Sequence, residues 1–165
     1  MELYISYLKS PIGILRITAD NVAIKNVFVA SEICDEKENT LTKEVKRQLN
    51  RYFSGKSKEF DFPINPDGTD FQKRVWRELV SIPYGKTVSY GRIACALGCP
   101  KGARAVGNAV GKNRVLIIIP CHRVIYGDSR IGGFSGDIKN KIALLRHESE
   151  AIIRSSKTWH IRSDI

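Results

Sequence analysis

Histidine is missing from the first 121 of the 165 residues, and no two of the four cysteines, Cys34, Cys95, Cys99 and Cys121, stand at Cys-x-x-Cys spacing. The metal clips and dithiol redox pairs that such patterns build are therefore not expected. Cys95 and Cys99 lie four apart near a helix end and could share one face, but no further ligands accompany them, so they read as buried core cysteines. Long apolar runs are missing too. The longest runs, such as Val115 to Ile119, are far too short to cross a bilayer, and Met1 to Ser10 lacks the basic-then-apolar layout of a signal peptide. A cytoplasmic chain with reduced cysteines, no disulfide and no membrane association is expected. There is no internal repeat and no low-complexity tract.

Acidic residues become scarce along the chain. Residues 1–69 hold 10 Lys and Arg against 10 Asp and Glu, whereas residues 70–165 hold 17 against 7, so the whole net charge of +10 lies in the second part. Such a basic excess is either the footprint of a polyanion, nucleic acid above all, or a plain soluble surface.

At 165 residues the chain can bury a real core as one compact unit or two small subdomains. Apolar and polar residues alternate over Leu3 to Tyr7 and Ile12 to Thr18 around Lys9-Ser10-Pro11, which predicts a β-hairpin, and Val22 to Val29 predicts a third strand. Leu41, Val45 and Leu49 recur at helical spacing, with Gly55 as a stop. Pro63, Pro66 and Gly68 mark a linker where the charge balance changes. The expected division is a strand-rich α/β domain over 1–67, a mainly helical domain over 68–150 and a tail over 151–165.

Past the linker, Thr69 and Gln72 form a capping box for a helix with Phe71, Val75, Trp76, Leu79 and Val80 on its apolar face. Ser89 caps a short helix closed by Gly98 and Pro100, and a second helix follows from about Lys101 to Lys112. This pair has the form of a helix-turn-helix. Its second helix carries little bulk (Ala103, Ala105, Gly107, Ala109, Gly111), which suits either tight helix packing or close approach to DNA. Asp137 is expected to cap a last helix with a buried stripe of Ile138, Ile142 and Leu145, and with Glu148 near its end.

The most chemically loaded segment is Pro120-Cys121-His122-Arg123-Val124. The run Val115 to Ile119 reads as a buried strand or extended segment delivering Cys121 to the mouth of a pocket. The thiolate is the reactive form of cysteine, so activation requires a neighbouring base or positive charge, and His122 and Arg123 offer both. On these residues alone Cys121 is either a nucleophile or an inert buried thiol.

Five blocks in order decide between those readings: Pro83 to Tyr90, Ala103 to Gly107, Lys112-Asn113, Pro120 to Val124 and Gly132 to Gly136. Together they resemble the O6-alkylguanine-DNA alkyltransferase family over roughly residues 70–148, with the N-terminal segment resembling that family's smaller domain. The resemblance implies an α+β protein. A ribonuclease H-like N-terminal domain would be followed by a helical domain with a winged-helix-like helix-turn-helix that binds the minor groove of double-stranded DNA.

The activity implied is transfer of the alkyl group of O6-alkylguanine, and by extension O4-alkylthymine, to Cys121, once per protein. A monomer with no cofactor and no metal is implied, since the N-terminal zinc of some members lacks ligands here. A flipped base would enter the cysteine pocket, because chemistry on a stacked base requires extrusion. Arg104 would fill the vacated space, and Ala103, Lys101, Arg123 and Tyr90 would join it at the DNA. His122 would act as base through a bridging water, oriented by Glu148. Tyr90 would protonate the leaving guanine, and Asn113 would tie the recognition helix to the cysteine loop. Ser135, Phe134 and Gly136 would contact the base, with the Val124 carbonyl reading its exocyclic amine. Two positions depart from the family pattern: Arg114 replaces a common proline, and Phe134 a common tyrosine. The competing functions are a damage sensor of the same architecture that transfers nothing, a transcription regulator and a cysteine hydrolase. The sensors lack the acceptor cysteine, which this chain has.

Overall fold

The structure is a computed structural model that describes residues 2–160, with side chains through Ile152. Strands β1 (Tyr4–Ser10), β2 (Gly13–Ala19) and β3 (Ile24–Ala30) form an antiparallel sheet in the order β1-β2-β3. The pairing runs two residues further than expected, with Lys9 opposite Ile14, Ser10 opposite Gly13 and the Ser10 hydroxyl donating to the Gly13 carbonyl. The turn therefore falls at Pro11-Ile12. The third strand starts at Ile24 rather than Val22. Asp20 accepts from the backbone N–H groups of Val22 and Ala23, each at 2.7 Å, and holds those residues in a turn.

Helix α1 (Thr40–Phe53) is opened by a reciprocal cap between Asn39 and Thr42 and lays Val45, Leu49 and Tyr52 against β1 and β2. Beyond the linker, α2 (Asp70–Val80) has the expected Thr69–Gln72 capping box. It buries Val75, Trp76 and Leu79 and leaves Val80 exposed. Trp76 Nε1 donates to the Ala109 carbonyl, tying α2 to α4 (Ala103–Gly111). Helix α3 (Tyr90–Ala96), capped by the Ser89 hydroxyl, packs on α4 to complete the helix-turn-helix. The two-residue strands β4 (Val88–Ser89) and β5 (Val124–Ile125) pair in parallel beside it. The protein is thus α+β: a three-stranded antiparallel sheet domain followed by a helical one.

The outer edge of β3 is occupied by the chain itself. Ile24 exchanges backbone hydrogen bonds with Pro63 and Asn65 of the linker, and Val27 with Arg114 and Leu116 of the segment leading to Cys121. These bonds satisfy an edge that would otherwise offer unpaired donors and acceptors.

The run Val115 to Ile119 is not a strand. It makes a single bridge to β3 and then coils, with Ile117 at φ 72°, a costly conformation for a β-branched residue. All five side chains are buried, and burial of that apolar surface outweighs the local strain. Cys121 consequently begins a single 3₁₀ turn, Cys121–Arg123, rather than ending a strand.

Helix α5 (Ile138–His160) is longer than expected. Neither Gly nor Pro occurs between Glu148 and His160, so nothing stops it and Glu148 sits mid-helix. The expected tail over 151–165 is helical through residue 160, and residues 161–165 lie outside the described part. The buried stripe is also different: Lys141, Leu144 and Glu148 are buried, Ile142 and Leu145 only partly, and Ile138 is 46 % exposed. Cys95 is exposed, against the expectation of a core cysteine, whereas Cys99, just past α3, is partly buried and packs against the core. Among the described residues no helix is long and apolar enough to cross a membrane.

Candidate active site

Cys121 is buried, with 1 % of its surface exposed. Its Sγ accepts a hydrogen bond at 3.0 Å from Asn113 Nδ2, which also donates to the Ile119 carbonyl at 2.8 Å. The Val115 N–H donates to Asn113 Oδ1 and fixes which way the amide faces. Asn113 follows the C-terminus of α4, so one side chain ties the recognition helix to the cysteine loop. Burial pushes the Cys121 thiol up to about 11, against the opposing pull of Asn113, the Lys141 charge and nearby backbone N–H groups. At neutral pH the resting group is a thiol, and its chemistry requires a base.

His122 is the neighbouring candidate. Its Nε2 lies 2.7 Å from Glu148 Oε1, and its Nδ1 is buried with no protein partner. Burial lowers the His122 pKa, although Glu148 opposes that shift. Burial alone would raise the Glu148 pKa, but the hydrogen bonds and charges of His122 and Arg123 outweigh it and hold the group well below the usual carboxylate range. An ionised carboxylate only accepts, so the imidazole proton is on Nε2 and the Nδ1 lone pair is available to receive a proton.

Glu148 is one of the most heavily bonded groups in the protein. Oε1 accepts from Tyr52, His122 and Arg123, and Oε2 accepts from Arg123 and the Gly85 backbone N–H. Gly85 is required there: it has φ +70°, and a Cβ would collide with Ile152. Arg123, expected at the DNA, is buried instead. It pairs with Glu148 and donates to the Ile82 carbonyl at 2.7 Å, so its guanidinium is engaged inside the protein.

Beside these residues lies a cavity of about 730 Å³ whose walls include Tyr90, Ala103, Arg104, Tyr126, Phe134 and Ser135. That is the size range of small-molecule sites and ample for a base. Five of the expected site residues outside the Cys-His pair, Tyr90, Ala103, Arg104, Phe134 and Ser135, thus face one space. Tyr90 is half-buried beside Tyr126, with ring centroids 5.3 Å apart, and is within electrostatic reach of Cys121. A Cβ on Gly132 would strike the Tyr90 hydroxyl, which explains a glycine at that position. Gly136 is buried, wedged between Phe134 and Leu116. Lys101 is exposed just before α4 and is not on the cavity wall. Cys121 is not on the wall either.

Two groups of this network escaped sequence reasoning. Lys141 is fully buried and donates to the carbonyls of Val124 at 2.6 Å and Gly133 at 3.3 Å, pinning the Gly132 to Gly136 loop to the cysteine turn. The Val124 carbonyl therefore has one of its two lone pairs already engaged. Tyr52 comes from α1, in the other domain. A signal for Lys141 existed: it is seven residues, two turns, before Glu148 and thus on the same helix face. Nothing comparable in the sequence points to Tyr52. Among the described residues no group of three or more His, Cys, Asp or Glu could hold a metal ion.

Comparison with known proteins agrees with this geometry. Residues 3–66 match the family model described as the ribonuclease-like domain of 6-O-methylguanine DNA methyltransferase, and residues 70–150 match that of its DNA binding domain. The Mycobacterium tuberculosis methylated-DNA–protein-cysteine methyltransferase is 42 % identical over 147 residues, 86 % of this chain and 89 % of the relative. The Methanosarcina barkeri protein of the same name is 38 % identical over 155 residues, 88 % and 97 % of the two chains. The crystal structure of an M. tuberculosis O6-methylguanine methyltransferase superposes with a TM-score of 0.83 at 38 % identity, covering 91 % of this chain and 94 % of the other. That organism's OGT in complex with DNA gives 0.81 at 40 % identity, covering 88 % and 92 %. With both domains matched and the relatives spanned almost end to end, the chain belongs to the 6-O-methylguanine DNA methyltransferase family.

Proposed function

We propose that this protein is a methylated-DNA–protein-cysteine methyltransferase that repairs DNA by a single irreversible transfer. It binds double-stranded DNA through the minor groove with α4, extrudes an O6-alkylguanine, or an O4-alkylthymine, and moves the alkyl group onto Cys121. The observation that carries this reading is the Asn113–Cys121 contact beside a neutral imidazole whose partner, Glu148, is ionised, next to a cavity that admits a base.

Water between Cys121 and His122 Nδ1 relays the thiol proton to the imidazole, and the nascent imidazolium is stabilised by Glu148. The Sγ–C bond forms as the O6–C bond breaks. The electron pair passes to guanine, a poor leaving group as an anion, and Tyr90 supplies the proton or hydrogen bond that the ring requires. The base is held by the Phe134 face, Ser135 and the backbone of Gly136 and Val124, while Arg104 fills its place in the duplex, with Ala103 and Lys101 beside it. The product is a thioether, which has no route back to thiol, so the protein acts once. The chain is read as a cytoplasmic monomer, with 1–67 and 68–150 as its two domains, and it uses no metal, organic cofactor or methyl donor.

The test is intact-protein mass spectrometry after incubation with a duplex carrying one O6-methylguanine, followed by peptide mapping. One added methyl per protein, on Cys121, is expected, and Cys121→Ser is expected to gain none while still binding the damaged duplex. Selective binding with no mass gain in the unmodified protein would instead make it a sensor.

A further inference from the structure

We infer that Tyr52, from the N-terminal domain, is a positioning residue of the reaction: its hydroxyl shares Glu148 Oε1 with His122 and thereby sets how strongly the imidazole holds a proton. The inference rests on the reading of His122 as the base.

The geometry leaves the hydroxyl little choice. Tyr52 is 0 % exposed, and its ring packs against Phe53, Phe60, Tyr84 and His147 at centroid distances of 5.1 to 5.9 Å. Its own carbonyl is bonded by His147 Nε2 at 2.8 Å, which fixes the backbone. From that position Oη reaches Glu148 Oε1 at 2.8 Å across 96 residues of sequence. Burial and the neighbouring carboxylate raise the phenol pKa, so the group stays protonated and donates.

Oε1 is the same oxygen that His122 uses. Three donors, Tyr52, His122 and Arg123, compete for its lone pairs, and each draws charge away from the bond to the imidazole. Among the described residues the other groups around the pair are Tyr84 and the Gly85 N–H from the turn after α2, Arg123 and Cys121 from the 3₁₀ turn, and Lys141 from α5, with His147 against the Tyr52 ring. None of them puts a neutral hydroxyl on Oε1, as Tyr52 does. Removing it leaves Glu148 ionised, because Arg123 and Gly85 remain, but gives His122 a stronger acceptor. The imidazolium is then stabilised and His122 is protonated at higher pH.

The variant is Tyr52→Phe, which keeps the ring and deletes the donor. Two quantities are followed against pH: the single-turnover rate of methyl transfer from a methylated duplex, and the His122 ring signals by nitrogen-15 NMR, with three histidines in the chain to assign. Both the acid limb of the rate and the His122 titration are expected to move to higher pH by about half a unit or more, with DNA affinity unchanged. A lowered melting temperature with neither pH value moved would make Tyr52 a packing residue only and overturn the inference. If the unmodified protein transfers no methyl group, the reading of its function fails, while the His122 titration still decides the role of Tyr52. Should the variant not fold, the Tyr52 hydroxyl proton of the unmodified protein decides: exchange with solvent as slow as that of core amides supports the bond, and fast exchange overturns it.

Discussion

Asn113 carries more than one task, and its removal separates them. In Asn113→Ala the thiol loses its side-chain donor, so the Cys121 pKa rises further and transfer at neutral pH slows. The Val115 N–H and Ile119 carbonyl lose partners at the same time, lowering stability by about 1–3 kcal/mol. Single-turnover kinetics over a range of pH and denaturant unfolding check the two effects, and unchanged kinetics would remove Asn113 from the site. At this scale the sequence is a good guide wherever function is written in adjacent or patterned residues. Cys121, His122, Asn113 and Tyr90 stand out from short blocks, and the structure bonds Asn113 to Cys121, whereas Arg123 is expected at the DNA and is buried against Glu148. Whether an arginine faces DNA or a buried carboxylate depends on Glu148, which lies 25 residues away, and on the Ile82 carbonyl. Tyr52 illustrates the limit further: its partner is 96 residues distant, and local spacing contains no trace of the contact.

Among the elements, α4 is legible in the sequence and α5 is not. Helix α4 carries its small residues and Arg104 on a short segment bounded by Gly102 and Lys112. Arg104→Ala is expected to slow transfer from a methylated duplex far more than transfer from the free O6-alkylguanine base, because only the duplex must be opened. Equal losses on both substrates would mean that Arg104 acts on chemistry rather than on extrusion. Helix α5 misleads because periodicity assumes that buried positions are apolar, and here the innermost face carries Lys141 and Glu148. Charged residues sit inside because each has partners: Lys141 two carbonyls, Glu148 a ring of donors. The coil before Cys121 is the other misreading. Five consecutive apolar residues fit a buried strand, and only the single bridge to β3 and the left-handed Ile117 show otherwise.

For the whole molecule, charge and titration make two separate predictions. The basic excess beyond residue 69 implies that DNA affinity is largely a phosphate effect with little sequence preference. If about four phosphates are contacted, binding should weaken roughly a hundredfold between about 50 and 200 mM salt. Filter binding or fluorescence anisotropy across that range would show it, and a flat response would exclude phosphate contacts.

Stability has a limb on each side of neutrality. His122 and Glu148 both have lowered pKa values when folded, so the unfolded chain binds more protons. Their contribution is complete above 6.5 and is lost as pH falls, first below the ordinary histidine value and then below 4.5. Cys121 is raised, so its contribution is complete below 9 and is lost as pH rises towards about 11. The difference between the unmodified protein and Cys121→Ser should therefore shrink over that alkaline window by about 2 kcal/mol, as read by thermal or denaturant melts.

The backbone bonds that Val27 makes to Arg114 and Leu116 bear on how such a protein can be rebuilt. Its two halves match separate family descriptions, yet the strand edge of one is the mounting for the segment that leads to Cys121 in the other. A chimaera that joins this C-terminal half to a foreign N-terminal half inherits a working site only if the graft presents a strand edge in the same register. Exchange of parts between relatives is thus limited by a seam of a few amides.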